Sequence, residues 1–294
     1  MSKSKKVVEA SCTSVVAESR SVQAPGPVPL SCFVETKEYG RFVQVCEASR
    51  RYGYMVVCVG ESGVGKTWAA RKFAQWDLIE PLLSPHGVTF SSTCPIPRTA
   101  LYTPKPTVTP KGVEHDVAML RWSLQMLADH GRTLAIEERS EPVFIRPDVV
   151  NVLIVDEVES LSPACIEVLR HVSEKDHVSV VFLSRPGSER RLLNMPAVAS
   201  RVGVLHGFGT LGKADTRKLL EQELQKLRVS VEENAIELFI EKTRGNFQKM
   251  RLVLDHIDYM IGRHGAFAVT VEVIEEAVAR LLNERNVQLL RGRR

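Results

Sequence analysis

Short runs of apolar, β-branched residues alternate with helical periodicity through the first two thirds of the chain. Runs of this kind are typical of strands that are buried on both faces. They predict strands at 54–59, 149–155, 178–183 and 201–205, and a further strand at 99–103. Apolar residues at helical spacing predict helices at about 38–51, 67–75, 113–129 and 163–175. Trp68, Trp76 and Trp122 are assigned to helices and are expected in the core.

Beyond about residue 212 the strand signals stop and helical periodicity continues alone. Ser230 and Glu233 have the spacing of a capping box at the start of one helix in this region. Apolar residues at helical spacing predict two more helices, at about 250–261 and 271–281. Strands alternating with helices, followed by helices alone, indicate an α/β domain and then a small all-α domain.

These patterns divide the chain into four parts. We expect a flexible leader at 1–32, an α/β nucleotide-binding domain at 33–211, a helical domain at 212–283 and a basic C-terminal tail at 284–294. The formal net charge is +4, and residues 285–294 hold four arginines and no acid. Basic ends fit contact with nucleic acid, but they fit ordinary solvated termini equally well.

Composition narrows the class of protein. With 44% hydrophobic and 25% charged residues, the chain has the balance of a globular protein. No apolar run approaches the ~18–20 residues of a membrane span, and no apolar segment follows the N-terminal lysines as it would in a signal peptide. The six cysteines form no C-x-x-C pair and no zinc-like cluster. We therefore expect a cytoplasmic protein with reduced thiols and no membrane partner.

A phosphate-binding loop is the strongest motif in the sequence. Residues 60–67 match G-x-x-x-x-G-K-[ST] at every fixed position, directly after the predicted strand 54–59. Glycines let the backbone curl so that its N–H groups face phosphate oxygens, and the helix that follows adds its positive end. Lys66 is placed to reach the β- and γ-phosphates, and the Thr67 hydroxyl to ligate Mg²⁺. The predicted ATP-binding residues of this loop are Gly60, Glu61, Ser62, Gly63, Val64, Gly65, Lys66 and Thr67.

Two acidic residues end the predicted strand 149–155. Asp156 suits the magnesium partner of Thr67, and Glu157 is placed to orient or deprotonate an attacking water. The pair therefore indicates hydrolysis of ATP rather than transfer of its phosphate to a small acceptor.

These motifs, followed by a helical second domain, resemble those of AAA+ ATPases. Flanking segments are similar to those of the MuB, TniB and TnsC regulators of DNA transposition, including those of CRISPR-associated transposons. The similar segments are 33–36, 60–67, 152–161, 180–183, 200–201 and 245–250. The likeness extends over residues 33–283 and is loose over 77–148. It implies a P-loop AAA+ domain with a parallel sheet, followed by a small all-α lid domain.

The resemblance also implies a function. Such proteins bind ATP between protomers and assemble as rings or helical filaments around duplex DNA. They deliver that DNA to a transposase, in some systems with a target-selector protein, and disassemble as ATP is hydrolysed. Arg201 matches the position of an arginine finger that reaches the γ-phosphate of a neighbouring protomer, with Arg190 and Arg191 as rival candidates.

Other positions depart from the family pattern or match it less closely. Ser184 and Arg185 stand where the family has its first sensor, and either one is a candidate for that role. Lys249 stands where a lid arginine would contact the nucleotide, and a lysine supplies the charge without the fork of an arginine. For DNA, the resemblance points to the start of the helix after the second strand and to a loop before the third. Lys111 occupies the first place, and Arg132 and Thr133 occupy the second.

Three other functions stay open. A replication initiator or helicase loader would share the fold, but it usually adds a DNA-binding or helicase-docking domain. A P-loop kinase would need an acceptor pocket and a small mobile lid. A nucleotide-gated scaffold with little hydrolysis would fit the altered sensor positions.

Overall fold

The computed structural model describes residues 34–83, 97–137, 149–264 and 268–280, without the side chains of 130–137 and 264. The predicted leader at 1–32 and the basic tail at 284–294 lie outside the described residues. Within them, no helix is long and apolar enough to cross a membrane.

Five parallel strands form one sheet in the order β2-β3-β4-β1-β5. They are β1 Met55–Val59, β2 Thr99–Tyr102, β3 Val152–Val155, β4 Ser179–Ser184 and β5 Val202–Gly207. All five predicted strands are confirmed. Every side chain of β2, β3 and β4 is buried, which agrees with their nearly continuous apolar sequences and with helices on both faces of the sheet. Because the strands are parallel, their carboxyl ends share one edge, where the loops after β1, β3 and β4 meet.

The helices alternate with the strands and then continue alone. They are α1 Lys37–Tyr52, α2 Lys66–Phe73, α3 Trp76–Ile79, α4 Pro110–Glu137, α5 Pro163–Asp176, α6 Ser188–Leu193, α7 Pro196–Ala199, α8 Lys213–Lys226, α9 Glu233–Thr243, α10 Phe247–His264 and α11 at 271–280. Short 3₁₀ turns occur at Glu80–Leu83 and Val158–Ser160. The short helices α3, α6 and α7 were not predicted, because a segment of four to six residues is too short to show the apolar spacing of a helix.

Helix α1 shows how local sequence sets these boundaries. The Thr36 side chain accepts a hydrogen bond from the Tyr39 N–H and caps the first turn. Gly53 has a φ of 73° and ends the helix in the left-handed conformation that glycine adopts without strain. Phe42 and Cys46 are completely buried on the face that packs against the sheet. A similar cap begins α5, where the Ser162 hydroxyl accepts from the Cys165 N–H ahead of Pro163.

The C-terminal helices are joined by a single parallel bridge between Val231 and Val269. The Val269 N–H donates to the Ser230 carbonyl at 2.8 Å and the Glu232 N–H donates to the Val269 carbonyl at 3.1 Å, so residues 230–232 pair with the segment before α11 instead of forming the first turn of α9. For this reason the predicted capping box is wrong. The N-cap of α9 is Glu232, which makes no side-chain capping bond.

Candidate nucleotide-binding site

The predicted phosphate-binding loop joins β1 to α2 at the carboxyl edge of the sheet. Gly63 and Gly65 have φ values of 79° and 108°, in the left-handed region that favours glycine. Gly65 is the N-cap of α2, so the first unpaired N–H groups of that helix open onto the loop. The sequence predicted both the loop and its place between strand and helix.

Lys66 begins α2, and the loop curls around its side chain. Its Nζ donates to the carbonyls of Gly60 at 2.5 Å and Glu61 at 2.9 Å. Burial lowers the pKa of Lys66, an effect that the negative charges of Asp156 and Glu159 partly offset. The ammonium is therefore held among backbone oxygens, next to the N–H groups that would receive phosphate.

Thr67 and Asp156 come together across the cleft. The Thr67 hydroxyl donates to Asp156 Oδ2 at 2.6 Å, and the Glu157 N–H donates to Asp156 Oδ1 at 2.8 Å. Asp156 is buried, with 5% of its surface exposed. A hydroxyl and a carboxylate side by side are the oxygen donors that Mg²⁺ prefers, so these residues fit the metal that the loop implies. No group of three His, Cys, Asp or Glu residues converges on a metal position in the described ranges.

Glu157 follows Asp156 and is exposed on the rim of the same cleft. Its φ of 49° is in the left-handed region, an uncommon conformation for a residue other than glycine. The turn after β3 thus presents one buried carboxylate beside Thr67 and one exposed carboxylate that lines the same cleft. An exposed carboxylate at this place is able to accept a proton from a water molecule.

The cleft has a volume of about 320 Å³ and gathers residues from four parts of the chain. The loop and α2 contribute Ser62, Gly63, Gly65, Lys66, Thr67 and Trp68; the turn after β3 contributes Asp156, Glu157 and Glu159; the end of β4 contributes Leu183, Ser184 and Arg185; and the start of α10 contributes Phe247 and Gln248. A larger cavity of about 800 Å³, beside α1 and α3, contains none of the predicted site residues.

The start of α10 lies directly on the phosphate-binding loop. The Gln248 N–H donates to the Gly63 carbonyl at 2.9 Å, and Asn246 Nδ2 donates to the Ser62 carbonyl at 3.1 Å. The Phe247 ring meets the Trp68 ring edge-on, with centroids 5.5 Å apart. We call residues 245–248 the lid turn, because they close one side of the cleft.

The predicted sensor residues differ in how they face the cleft. Ser184 lines it, but its buried hydroxyl donates to the Cys58 carbonyl at 3.5 Å. Arg185 also lines it and pairs with Glu159, at 2.7 Å from Nε to Oε1. On the lid turn the lining residues are Phe247 and Gln248, whereas Lys249 is the next residue and does not line the cleft. Gln248, Phe247 and Glu159 were not predicted, since only the folded chain brings them to the loop.

The three arginine-finger candidates have different surroundings. Arg201 is half-exposed, donates to the Ala197 carbonyl at 2.7 Å and forms an ion pair with Glu174. Arg191 donates to the Val158 carbonyl at 2.9 Å and is tied to the 3₁₀ turn of its own protomer. Arg190 is exposed on α6. The structure therefore leaves Arg201 and Arg190 facing outward, whereas Arg191 supports the turn after β3.

The structure places Lys111 as predicted, at the start of the helix after the second strand, but it places Arg132 and Thr133 elsewhere than predicted. Lys111 is exposed in the first turn of α4, which begins where the Thr109 hydroxyl accepts from the Gly112 N–H at 3.1 Å. Arg132 and Thr133 lie inside the same helix, so the expected loop before β3 is wrong at these residues. Apolar periodicity ends near Asp129, but helical backbone continues to Glu137. At 1.5 Å per residue, Lys111 and Arg132 are about 32 Å apart along the helix axis.

Comparison with known proteins agrees with this geometry. Residues 49–193 match a family model described as an AAA domain. The chain is 28% identical over 260 residues to a protein from Staphylococcus aureus described as a potential ATP-binding protein. The match covers 83% of this chain and 94% of that one. Over residues 49–193, the site and the match to the family model support an AAA-type P-loop ATPase domain.

Two solved structures share the fold. RuvB from Thermotoga maritima, described as a Holliday junction branch migration motor, superposes with a TM-score of 0.55 at 14% identity, covering 84% of this chain and 70% of RuvB. Domain III of the replication initiation protein DnaA from the same organism gives a TM-score of 0.52 at 14% identity. The superposition covers 87% of this chain and 98% of the DnaA domain. The AAA+ fold with a helical C-terminal region is therefore confirmed.

Proposed function

We propose that this protein is an ATP-dependent, DNA-binding regulator of transposition. With ATP it oligomerises on target duplex DNA as a ring or helical filament and recruits or activates a transposase, and hydrolysis of ATP drives disassembly. A target-selector protein is a further proposed partner. The observation that carries the ATPase half of the proposal is the convergence of Lys66, Thr67, Asp156 and Glu157 on one cleft.

Each of these residues has a definite task in the proposed site. The loop N–H groups and Lys66 hold the triphosphate of the substrate, and Thr67 and Asp156 hold Mg²⁺. Bound Mg²⁺ neutralises negative charge on the phosphate oxygens. Glu157 orients the attacking water and accepts its proton, since its carboxylate is exposed and lines the cleft next to Asp156.

Arg201 completes the site of a neighbouring protomer in this proposal. Its side chain is 40% exposed and is held by Glu174, which lies on α5 outside the nucleotide cleft. An exposed ion pair of this kind is typically worth about 0–1 kcal/mol, so a phosphate of the neighbouring site is able to replace Glu174. ATP would then be hydrolysed only between assembled protomers.

The DNA-binding half rests on the resemblance of the flanking segments to transposition regulators. The structural similarity to RuvB, a Holliday junction branch migration motor, and to the replication initiation protein DnaA supports it. Lys111, Arg132 and Thr133 are the proposed contacts, all of them on α4. A lysine and a threonine that face DNA in a pore contact phosphates rather than bases, which predicts sequence-tolerant binding that weakens with salt. The spacing along α4 favours DNA that follows the helix over a single contact at one end.

A combined binding and imaging experiment tests this function. Protein is mixed with random-sequence duplex DNA and Mg²⁺, with ATP, with ADP or without nucleotide, and examined by mobility shift and negative-stain microscopy. We expect the wild-type protein to form extended assemblies on DNA only when ATP is present. Lys66→Ala protein should form none under any of these conditions. Adding a candidate transposase, encoded by a neighbouring gene, should produce a complex that depends on ATP and DNA. Equal assembly with and without nucleotide would contradict the proposal.

A replication initiator or helicase loader is the second candidate, because DnaA domain III is covered over 98% of its length. Competition between DNA duplexes separates the two functions. A regulator of transposition should assemble equally on unrelated duplexes, whereas an initiator should prefer particular sequences. A preference of about a thousandfold or more for one sequence, the lower end of the range for specific DNA-binding proteins, would favour the initiator.

A further inference from the structure

An arginine on α6 holds the backbone of the turn that follows Glu157. Arg191 Nη2 donates to the Val158 carbonyl at 2.9 Å, and Arg191 Nη1 donates to the Glu159 carbonyl at 3.5 Å. The Nε atom of Arg191 is buried and has no hydrogen-bond partner among the described residues. In the part of the chain that the structure describes, the hydrogen bonds of this guanidinium therefore both go to the 3₁₀ turn at 158–160.

This turn needs support because the residue before it has an uncommon conformation. Glu157 has a φ of 49°, and left-handed backbone costs energy in a residue with a Cβ atom. Such a conformation persists only where the surrounding contacts fix it. Within the turn, the Ser160 N–H and hydroxyl both donate to the Glu157 carbonyl at 2.9 Å. Arg191 adds a contact from a different element of the fold.

Both sides of this contact are anchored in the core. Leu192, the neighbour of Arg191 on α6, is completely buried, and so is Val158 on the turn. Helix α6 follows β4 and the turn follows β3, and these two strands are neighbours in the sheet. The guanidinium therefore joins α6 to the segment that carries Glu157. Arg191 itself does not line the cleft, whereas Glu157 does.

We propose that Arg191 is a positioning residue for ATP hydrolysis in its own protomer. It holds the turn after β3 so that the Glu157 carboxylate stays where it accepts the proton of the attacking water. The proposal rests on the proposed ATPase function, because it gives Glu157 that task. This role differs from that of an arginine finger, which acts on the site of a neighbouring protomer. Since Arg191 lies outside the cleft, its loss should change turnover and not the affinity for nucleotide.

A comparison of turnover with nucleotide affinity tests this proposal. Hydrolysis at saturating ATP, with Mg²⁺ and duplex DNA, and binding of ATPγS by isothermal titration calorimetry are measured on the full chain. Arg191→Ala should lower kcat by about tenfold to hundredfold, the range for a hydrogen bond that involves a charged group, and leave ATPγS affinity within about twofold. Arg217→Ala is the matched control, because Arg217 forms ion pairs with Glu221 and Glu233 and does not line the cleft. This control should leave both quantities unchanged.

A second variant carries the test if Arg191→Ala fails to fold, which circular dichroism would reveal. Arg191→Lys keeps the charge and a donor for the Val158 carbonyl, but it lacks the fork that also reaches the Glu159 carbonyl. Its kcat should fall by about two- to tenfold, the range for one ordinary hydrogen bond, and its ATPγS affinity should not change.

A double variant shows whether Arg191 acts through Glu157. In Glu157→Gln protein the carboxylate that Arg191 positions is already lost. Adding Arg191→Ala should therefore not lower the residual rate of hydrolysis, measured in single turnovers. A fall as large as in the wild-type background would mean that Arg191 acts through another group, contrary to the proposal.

Mixed protomers show whether Arg191 serves its own site or that of a neighbour. A mixture of Arg191→Ala and Lys66→Ala should recover no turnover, because each protomer lacks a residue that its own site needs. Recovery in this mixture, unchanged kcat in Arg191→Ala, or a loss of ATPγS affinity as large as the loss of kcat would overturn the positioning role and leave the ATPase function standing. Wild-type protein that hydrolyses no ATP would refute the proposed ATPase function as well.

Discussion

Replacing Gly63 by alanine should show how tightly the lid turn presses on the phosphate-binding loop. A Cβ atom at Gly63 would lie 2.8 Å from Asn246 Oδ1, 2.8 Å from Gln248 Oε1 and 2.9 Å from Gln248 Cβ. The two oxygens are the ends of flexible side chains, but the Cβ atom of Gln248 moves only with the backbone of the lid turn. Gly63 also has a φ of 79°, which alanine adopts with strain.

Two costs follow from this geometry. Left-handed backbone costs a residue with a Cβ atom about 1–2 kcal/mol. Crowding in a packed interface typically costs a further 1–3 kcal/mol or so. Gly63→Ala should therefore lower the free energy of unfolding by about 2–5 kcal/mol. Gly53 is the matched control, because its φ is 73° and nothing lies within 4 Å of its added Cβ. Gly53→Ala should show the first cost alone.

Urea unfolding followed by circular dichroism measures both variants. The difference between Gly63→Ala and Gly53→Ala isolates the contact with the lid turn, provided that the slope of the transition is unchanged. We expect a difference of about 1–3 kcal/mol. If the two variants are equally destabilised, the lid turn does not rest on the loop in solution, and the hydrogen bond from Gln248 to Gly63 is not a stable contact.

Three further predictions concern hydrolysis and pH. Glu157→Gln should bind ATP normally but hydrolyse it slowly and give longer-lived DNA complexes; wild-type turnover would place the general base elsewhere. Arg201→Ala should lose about 10³-fold or more of DNA-stimulated turnover, as for other arginine fingers, and mixing it with Lys66→Ala should restore part of it. No recovery in any mixture would exclude Arg201 as the finger. Burial lowers the pKa of His206 below its ordinary value of 6.5, so the unfolded chain takes up the proton first as pH falls below about 6.5. Stability should therefore fall from about pH 7.5 to 5.5, and His206→Gln should reduce this fall in urea unfolding curves.

The sequence predicted those parts of the fold that depend on local pattern. The strands were predictable because their residues are buried on both faces, and the loop because its glycines and Lys66 act within eight consecutive residues. Trp122 was wrongly expected in the core, since its side chain is 57% exposed. At 100° per residue it lies about 200° from both Leu120 and Leu124, on the opposite face of α4. The helical periodicity that places Leu120 and Leu124 towards the core therefore places Trp122 on the exposed face of α4.

Other features of the site depend on contacts between distant segments and were not predictable. Glu159 and Arg185 are separated by more than twenty residues, and they meet only because β3 and β4 are neighbours in the sheet. Gln248 reaches the loop through a bend at Gly245, which has a φ of 67°. The extension of α4 through Arg132 was missed because its last turns lack the apolar spacing on which the prediction relied. The pairing of strands, the bend at Gly245 and the last turns of α4 are set by packing in the folded chain, and the local sequence pattern does not reveal them.

The position of Trp68 gives the protein an optical reporter of its own cleft. Its ring lies between the Phe247 ring and the Arg251 guanidinium, whose carbon is 5.7 Å from the ring centroid. Trp76 is buried and Trp122 is largely exposed, so the three indoles differ in their access to a soluble quencher such as iodide. In Trp122→Phe protein, a change in quenching on addition of nucleotide would come mainly from Trp68. The change in iodide quenching would then report a change at the contact between Trp68 and the lid turn, without an attached dye.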